Sequence, residues 1–378
     1  VQRLTLAPRP DWTAKVEALG LIWHSAGGAP YWNEAAAYSF TLDEIGQIER
    51  ATADLYDLYL QAGAYVVDKR LFGRFGIPQW CWPLIADAWA AEPPALNYGR
   101  FDLGYDGRSP PRLFEFNCDT PTALLEAAVV QWQWKEEVFP RLDQYNSLHD
   151  KLVAKWRDIA PYLASPVVHF SHAREATGED AVTTAYLADT ATKAGLQARM
   201  IAIGDIGWAE GRFWDLEPVE IRTLQHLYPW EWLVHEPFGR NIVENQGRTA
   251  WIEPIWKMIW SNKAMLPILW DLFPRHPNLL WASAEGPAAD SYVEKPILSR
   301  EGANVRVVRD GLEVAAKDGP YVEAPVIWQG LFDVPAFEDG ARPVLGAWIV
   351  DGAPAGMGIR EDGLITGNLS RFVPHVIA

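Results

Sequence analysis

Residues 98–117 read YGRFDLGYDGRSPPRLFEFN. Two runs in which polar and apolar residues alternate flank DGRSPP, a sequence rich in turn formers. The alternation has the period of a half-buried strand, so the stretch predicts an antiparallel hairpin. Pairing Tyr105 with Arg112 across the turn sets Asp102 opposite Glu115 and Arg100 opposite Asn117. One face then carries Arg100, Asp102, Glu115 and Asn117, and the other carries Phe101, Phe114 and Phe116. Like charges directly opposite one another destabilise a sheet, so a positive group should lie between Asp102 and Glu115. Arg100 is one candidate. Mg2+ is another, because it takes oxygen ligands and often binds one or two carboxylates together with phosphate oxygens. The alternative is a surface hairpin whose polar face meets water.

The chain around this hairpin has 378 residues, enough for two or three domains. It is 49% hydrophobic and 22% charged, the composition of a soluble globular protein. A formal charge of −16 argues against a nucleic-acid partner, which needs clustered Lys and Arg, and would suit a cationic substrate. Cys81 and Cys118 are too few for a disulfide framework, so a reducing compartment is expected. No apolar run reaches the roughly 18 residues that cross a bilayer, and VQRLTLAPRP lacks the apolar centre of a signal peptide. The expectation is a cytoplasmic protein without a membrane partner. The 20 Trp residues, with WCW, WQW and WEW, either fill cores or stack on sugars and cations.

Residues 1–95 carry mostly helical signals. The clearest is TLDEIGQIERATADLYDLYLQAGAYVV at 41–67, where Ile45, Ile48, Leu55, Leu58 and Leu60 fall near helical spacing and Thr41 with Glu44 forms a capping box. After the hairpin a helix is expected over 121–138, capped by Thr120 with Pro121 at its first position. Residues 166–204 read strand, helix, strand, with Gly195 ending the helix, which predicts a βαβ unit and a small parallel sheet. From 291 onward short strands alternate with the Gly-containing turns SREGAN, VDGAPAGMG and REDG, which predicts an antiparallel sheet with mobile loops. The fold class is α+β or α/β, in about three parts: 1–164, 165–250 and 251–378.

RFD followed by FEFNCDTPTALLEA resembles the glutathionylspermidine synthase family, specifically its ATP-grasp synthetase part. EPIWKMIWSNKAMLPILWDLFP, VEKPILSREGAN and GMGIRED resemble the same family in the same order, from about residue 90 onward. No amidase-like region precedes them, so the chain resembles a synthetase-only member. The resemblance implies ATP-dependent amide formation, in which ATP phosphorylates a carboxylate and an amine attacks the acyl phosphate. It implies that Asp102, Glu115 and Asn117 hold two Mg2+ ions on the ATP phosphates. Arg100 would stabilise the transferring phosphoryl group or the tetrahedral intermediate. Lys263, Lys295 and Arg360 match ATP-binding positions, and Gln329 falls where the adenine side should be. Because the metal segment precedes the ATP lysines, the implied fold is a circularly permuted ATP-grasp with a lid over about 255–345, carrying Lys295, and a βαβ substrate-side domain.

Some of these positions also have readings of their own. Lys263 looks like a cation in the first turn of a helix capped by Ser261, which the helix dipole opposes unless an anion binds there too. Lys295 lies on a strand leading into a loop where Gly302 allows close approach to phosphate, although ordinary hairpins look the same. For the substrates, the resemblance points to Thr120, Glu231, Glu179 and Asp180. Acids at a helix N-terminus are equally explained by the dipole, and Trp230 and Trp232 by core packing. DTPTALLEA departs from the Ser-rich sequence of the bifunctional members, which leaves the acid open: glutathione or another small peptide, joined to spermidine or another polyamine. Two further readings are a non-catalytic ATP-binding relative and a Trp-rich carbohydrate-binding protein. Cys118 reads as a small buried hydrophobe. Oligomeric state has no sequence signal.

Overall fold

The computed structural model describes residues 1–26, 28–367 and 370–378. Five antiparallel strands form the sheet that positions the site, in the order Arg371–Phe372, Ala353–Asp362, Arg342–Val350, Tyr98–Gly104 and Arg112–Asn117. Alternation along the middle strand serves two cores. Leu345, Ala347 and Ile349 pack with helix Leu42–Asp68, whereas Trp348 and Val350 pack with helix Leu148–Ile159. The sheet is therefore covered on both faces in a mixed α+β chain.

Helix Leu42–Asp68 has the expected capping box between Thr41 and Glu44. Ile45, Ile48, Leu55 and Leu58 are buried, but Leu60 is 40% exposed. Two positions on a helix lie on opposite sides, so Leu58 and Leu60 cannot share one apolar face. The N-terminal region is less helical than expected. Gln2–Thr5 and Ala36–Phe40 form a sheet with His375–Ile377 from the other end of the chain.

Val167–His172, Glu179–Lys193 and Gln197–Ala202 form the expected βαβ unit, with Gly195 at φ 95° after the helix. Thr223–Leu227 and Ala250–Ile252 extend its sheet, which is parallel throughout. A separate five-stranded antiparallel sheet spans Ala282–Ser283 to Val326–Gly330, and its middle strand Tyr292–Pro296 carries Lys295.

Two helix starts differ from expectation. Residues 121–123 are irregular, Ala123 has φ 62°, and the helix begins at Leu124 with a π-helical turn at Glu126–Val130. Thr120 is not a cap: its hydroxyl accepts from Arg300, and the Thr122 carbonyl accepts from Arg100. These tertiary contacts hold the segment in a conformation that a local cap would not allow. Likewise Lys263 precedes helix Met265–Leu272, and Ser261 ends the short helix Lys257–Trp260. The Asn262 side chain accepts the Ala264 N–H, while the Ser261 hydroxyl accepts the N–H groups of Cys118 and Asp119. Among the described residues, no helix is long and apolar enough to cross a membrane.

Candidate active site

The hairpin pairs Arg100 with Asn117, Phe101 with Phe116 and Asp102 with Glu115, as the period-2 pattern predicts. Beyond Asp102 the register shifts at a β-bulge, and Gly104, not Tyr105, faces Arg112. A bulge turns an extra residue of one strand toward a face it would otherwise miss. Phe114 thus leaves the Phe101–Phe116 stack and joins Glu115 on the wall of a cleft, against Phe332. In the row beside Asp102 and Glu115 the neighbouring strands carry Gly346 and then Gly358. A Cβ at Gly346 would lie 2.7 Å from Arg100 Cδ, so this glycine lets the arginine lie flat across the sheet.

Arg100 donates to both Asp102 oxygens, at 2.6 and 3.1 Å, and lies over the Trp348 ring. Arg360, on the same face two strands away, reaches Asp102 Oδ2 at 2.8 Å. Lys263 Nζ lies 3.1 Å from Glu115 Oε2 and donates to the Ser299 carbonyl at 2.6 Å. Burial alone would raise the Glu115 carboxyl, but Lys263 and then Lys295 hold it well below the usual carboxylate range. Asn117 Nδ2 is 3.4 Å from Asp102 Oδ2 and 3.3 Å from Glu115 Oε1. Three oxygen-bearing side chains and four cations therefore converge.

Asp102, Glu115, Lys263 and Lys295 border a cleft, with Gln329 and Gly302 on its walls. Lys295 Nζ donates to Gln329 Oε1 at 2.8 Å and to the Phe114 carbonyl at 3.1 Å, and Gln329 donates in turn to the Leu113 carbonyl. Burial pushes the Lys295 ammonium down to about 8, against the pull of Glu115. Gly302 has φ 70°, and a Cβ there would lie 2.4 Å from the Thr366 carbonyl oxygen. Glycine is the residue that tolerates both conditions.

Arg360 also borders a second cleft, with Thr120, Arg300, Glu179 and Asp180. Arg300 is the residue that sequence reading missed. Its guanidinium bonds Glu231 at 2.6 and 3.0 Å and Thr120 at 3.2 Å, and lies over the Trp232 ring. Glu231 is thus held behind Arg300 and is not on the cleft wall. Trp230 is core, as expected, but Trp232 is 44% exposed and lines the cleft. Burial, then nearby Glu126, pushes Glu179 up to about 8, and burial with Glu175 pushes Asp180 up to about 6. A helix dipole alone would have lowered both. Glu126 accepts from Tyr31 and Trp23, and its other oxygen is buried with no partner among the described residues. Cys118 is buried, and burial raises its thiol to about 12, so it is inert packing.

Residues 3–378 match the family described as "Glutathionylspermidine synthase preATP-grasp". The chain belongs to this family. A Haemophilus influenzae protein named "Putative acid--amine ligase" is 39% identical, with 99% of each chain covered. Trypanothione synthetase from Crithidia fasciculata is 30% identical over 84% of this chain, and the Escherichia coli bifunctional glutathionylspermidine synthetase/amidase is 26% identical over 87%. The chain spans only 53% and 57% of those two longer relatives. Among solved structures, a glutathione synthetase-like effector from Globodera pallida superposes with a TM-score of 0.61 at 11% identity, covering 97% of this chain and 95% of that one. That likeness concerns the fold alone.

Proposed function

We propose that this family member is an ATP-dependent ligase that joins a carboxylate to an amine through an acyl phosphate. The observation that carries the reading is the position of Asp102 and Glu115, bridged by Asn117, where two clefts come together. Asp102 and Glu115 border the first, and Arg360, bonded to Asp102, borders the second. The reading also draws on the names of the relatives, which include ligases that act on small acids and amines.

The first cleft takes ATP. Lys263, Lys295 and Arg360 meet the phosphates, the Gly302 loop closes on them, and Gln329 with the Phe114 ring borders the base. Asp102, Glu115 and Asn117 are two carboxylates and an amide, the hard-oxygen set that suits Mg2+. The amide now donates to both carboxylates, and turning it over presents its oxygen instead. These residues would hold two Mg2+ ions, which supply charge neutralisation on the phosphates when bound. Lys263 pairs with Glu115 and Arg360 with Asp102.

In the second cleft, Arg300 and Thr120 take the acid, and Glu179 and Asp180 take the amine. One carboxylate oxygen attacks the γ-phosphorus and ADP leaves. The amine nitrogen then attacks the acyl carbon, inorganic phosphate departs with that carboxylate oxygen, and the nitrogen loses a proton to a cleft carboxylate. Arg100 faces the charge that develops on the reacting oxygens. In this account the fold is a circularly permuted ATP-grasp, 255–345 supplies a lid, and 165–250 is the substrate-side domain. The acid is glutathione-like and the amine polyamine-like, and the enzyme works in the cytoplasm.

The test is ADP release from Mg-ATP across a crossed panel of small peptides and amines, including glutathione and spermidine. Release that requires one acid and one amine together is expected. Release that requires neither, or needs only one of them, would contradict the assignment.

A further inference from the structure

Residues 118–123 leave the strand that carries Glu115 and Asn117 and form neither helix nor strand. Distant groups hold them. The Ser261 hydroxyl accepts the Cys118 and Asp119 N–H groups, the Thr120 hydroxyl accepts from Arg300, and the Thr122 carbonyl accepts from Arg100. Asp119 lines neither of the two clefts and is 1% exposed. One of its carboxylate oxygens accepts the Trp230 N–H at 2.8 Å, and the other has no partner among the described residues. Trp230 opens the short helix Trp230–Leu233, and the residue before it, Pro229, has no side-chain acceptor for the free N–H groups of that end. Asp119 supplies the acceptor from 111 residues away.

These contacts close a ring. Asp119 and Thr120 are neighbours in the chain, and so are Trp230 and Glu231. Arg300 spans the two pairs on one side, bonding Thr120 at 3.2 Å and Glu231 at 2.6 and 3.0 Å. The Asp119–Trp230 bond spans them on the other, in the interior. Among the described residues it is the one hydrogen bond that joins 118–123 directly to 229–233. The separation of Thr120 from Glu231 therefore depends on it, and with that separation the point from which the guanidinium faces the second cleft. We infer that Asp119 is the positioning residue of Arg300, acting through Trp230 and Glu231 without touching a substrate itself. This rests on the reading that Arg300 takes the acid, and it adds what holds that arginine in place. Glu231 grips Arg300 by two charge-assisted bonds and Thr120 by a single bond to a neutral hydroxyl, so without Asp119 the guanidinium follows Glu231 and parts from Thr120.

The test compares Asp119→Ala with Asp119→Asn. Alanine removes the acceptor, whereas asparagine keeps an oxygen for the Trp230 N–H. Both should lower the melting temperature, the first by stranding that N–H and the second by burying an amide N–H without a partner. Stability therefore does not tell them apart, and KM does. In ADP release with glutathione, spermidine and Mg-ATP, Asp119→Ala should raise the KM for glutathione about tenfold, the scale of one hydrogen bond to a charged group. The KM for ATP should not change, and Asp119→Asn should stay close to wild type. In an Arg300→Ala background, Asp119→Ala should add nothing further. A rise that asparagine fails to rescue, or one that keeps its full size without Arg300, would overturn the inference. Crystal structures of the two variants test the placement apart from activity. Arg300 should part from Thr120 in Asp119→Ala and keep both partners in Asp119→Asn. Both partners kept in Asp119→Ala would overturn the positioning, whether or not the chain is a ligase. A displaced guanidinium in Asp119→Ala, together with an unchanged KM for glutathione in Arg300→Ala, keeps the positioning and removes Arg300 from acid binding.

Discussion

Raising the pH from 7 to 9 should weaken nucleotide binding about tenfold through Lys295 alone. Burial pushes this ammonium down to about 8, against the pull of Glu115, and Lys263 lowers it further. Its hydrogen-bond acceptors, the Phe114 carbonyl and the Gln329 side chain, are neutral and do not restore the charged form. Before ligand arrives, about nine-tenths of Lys295 is charged at pH 7 and about one-tenth at pH 9. A polyphosphate that binds the charged form loses that ratio in affinity, about 1.4 kcal/mol. Near pH 8 each nucleotide should take up about half a proton. Stability runs the other way. Because the folded pKa is depressed, the unfolded chain holds more protons between about 8 and the ordinary lysine value, so the ligand-free protein gains stability across that window. Weaker binding at high pH cannot then be charged to unfolding. The assay is calorimetric titration with ADP from pH 7 to 9, in two buffers of different ionisation enthalpy. Lys295→Arg should flatten the profile. A flat wild-type profile, or a tenfold fall that persists in Lys295→Arg, would refute the reasoning.

Glu115→Gln should reduce Mg-dependent turnover by at least about a hundredfold, because a metal-held phosphate supplies several kcal/mol. Its melting temperature should fall, because Lys263 and Lys295 lose the carboxylate that faces them, so turnover is read well below that temperature, where comparable turnover would remove Glu115 from the metal site. Amine affinity should rise from pH 5 to 8 as Asp180 and then Glu179 ionise, since carboxyls pushed up to about 6 and about 8 are neutral below those values. Calorimetry with a permanently charged quaternary amine isolates this effect from titration of the ligand. Glu253→Ala should cost about 3–5 kcal/mol in denaturant unfolding, because it strands Lys257, which is fully buried 3.2 Å from Glu253, and frees two backbone N–H groups. A loss below about 1 kcal/mol would mean that water reaches Lys257.

The facing row Asp102–Glu115 was legible because strand alternation is local and both runs carry chemistry on the same parity. The bulge at Phe114 was not, because the hairpin pattern reads the same with or without it, and the contacts Phe114 makes there, with Phe332 and Lys295, come from roughly two hundred residues away. Arg300 escaped for a similar reason. In SREGAN it reads as a turn residue, and its partners Glu231 and Thr120 are brought to it only by the fold. The N-terminal strands were hidden because one of their partners is the last strand of the chain. Caps at Thr120 and Ser261 failed where side chains with good local geometry were claimed by distant donors. Among the described residues the Thr41 hydroxyl bonds Glu44 alone, and it behaved as its sequence says.

The central claim is that ATP drives amide formation through an acyl phosphate at the Asp102–Glu115–Asn117 site. It is tested most directly with an acid substrate labelled with oxygen-18 in its carboxylate, followed by mass analysis of the released phosphate. The account predicts one labelled oxygen in inorganic phosphate for each amide formed. Unlabelled phosphate released alongside amide would contradict it.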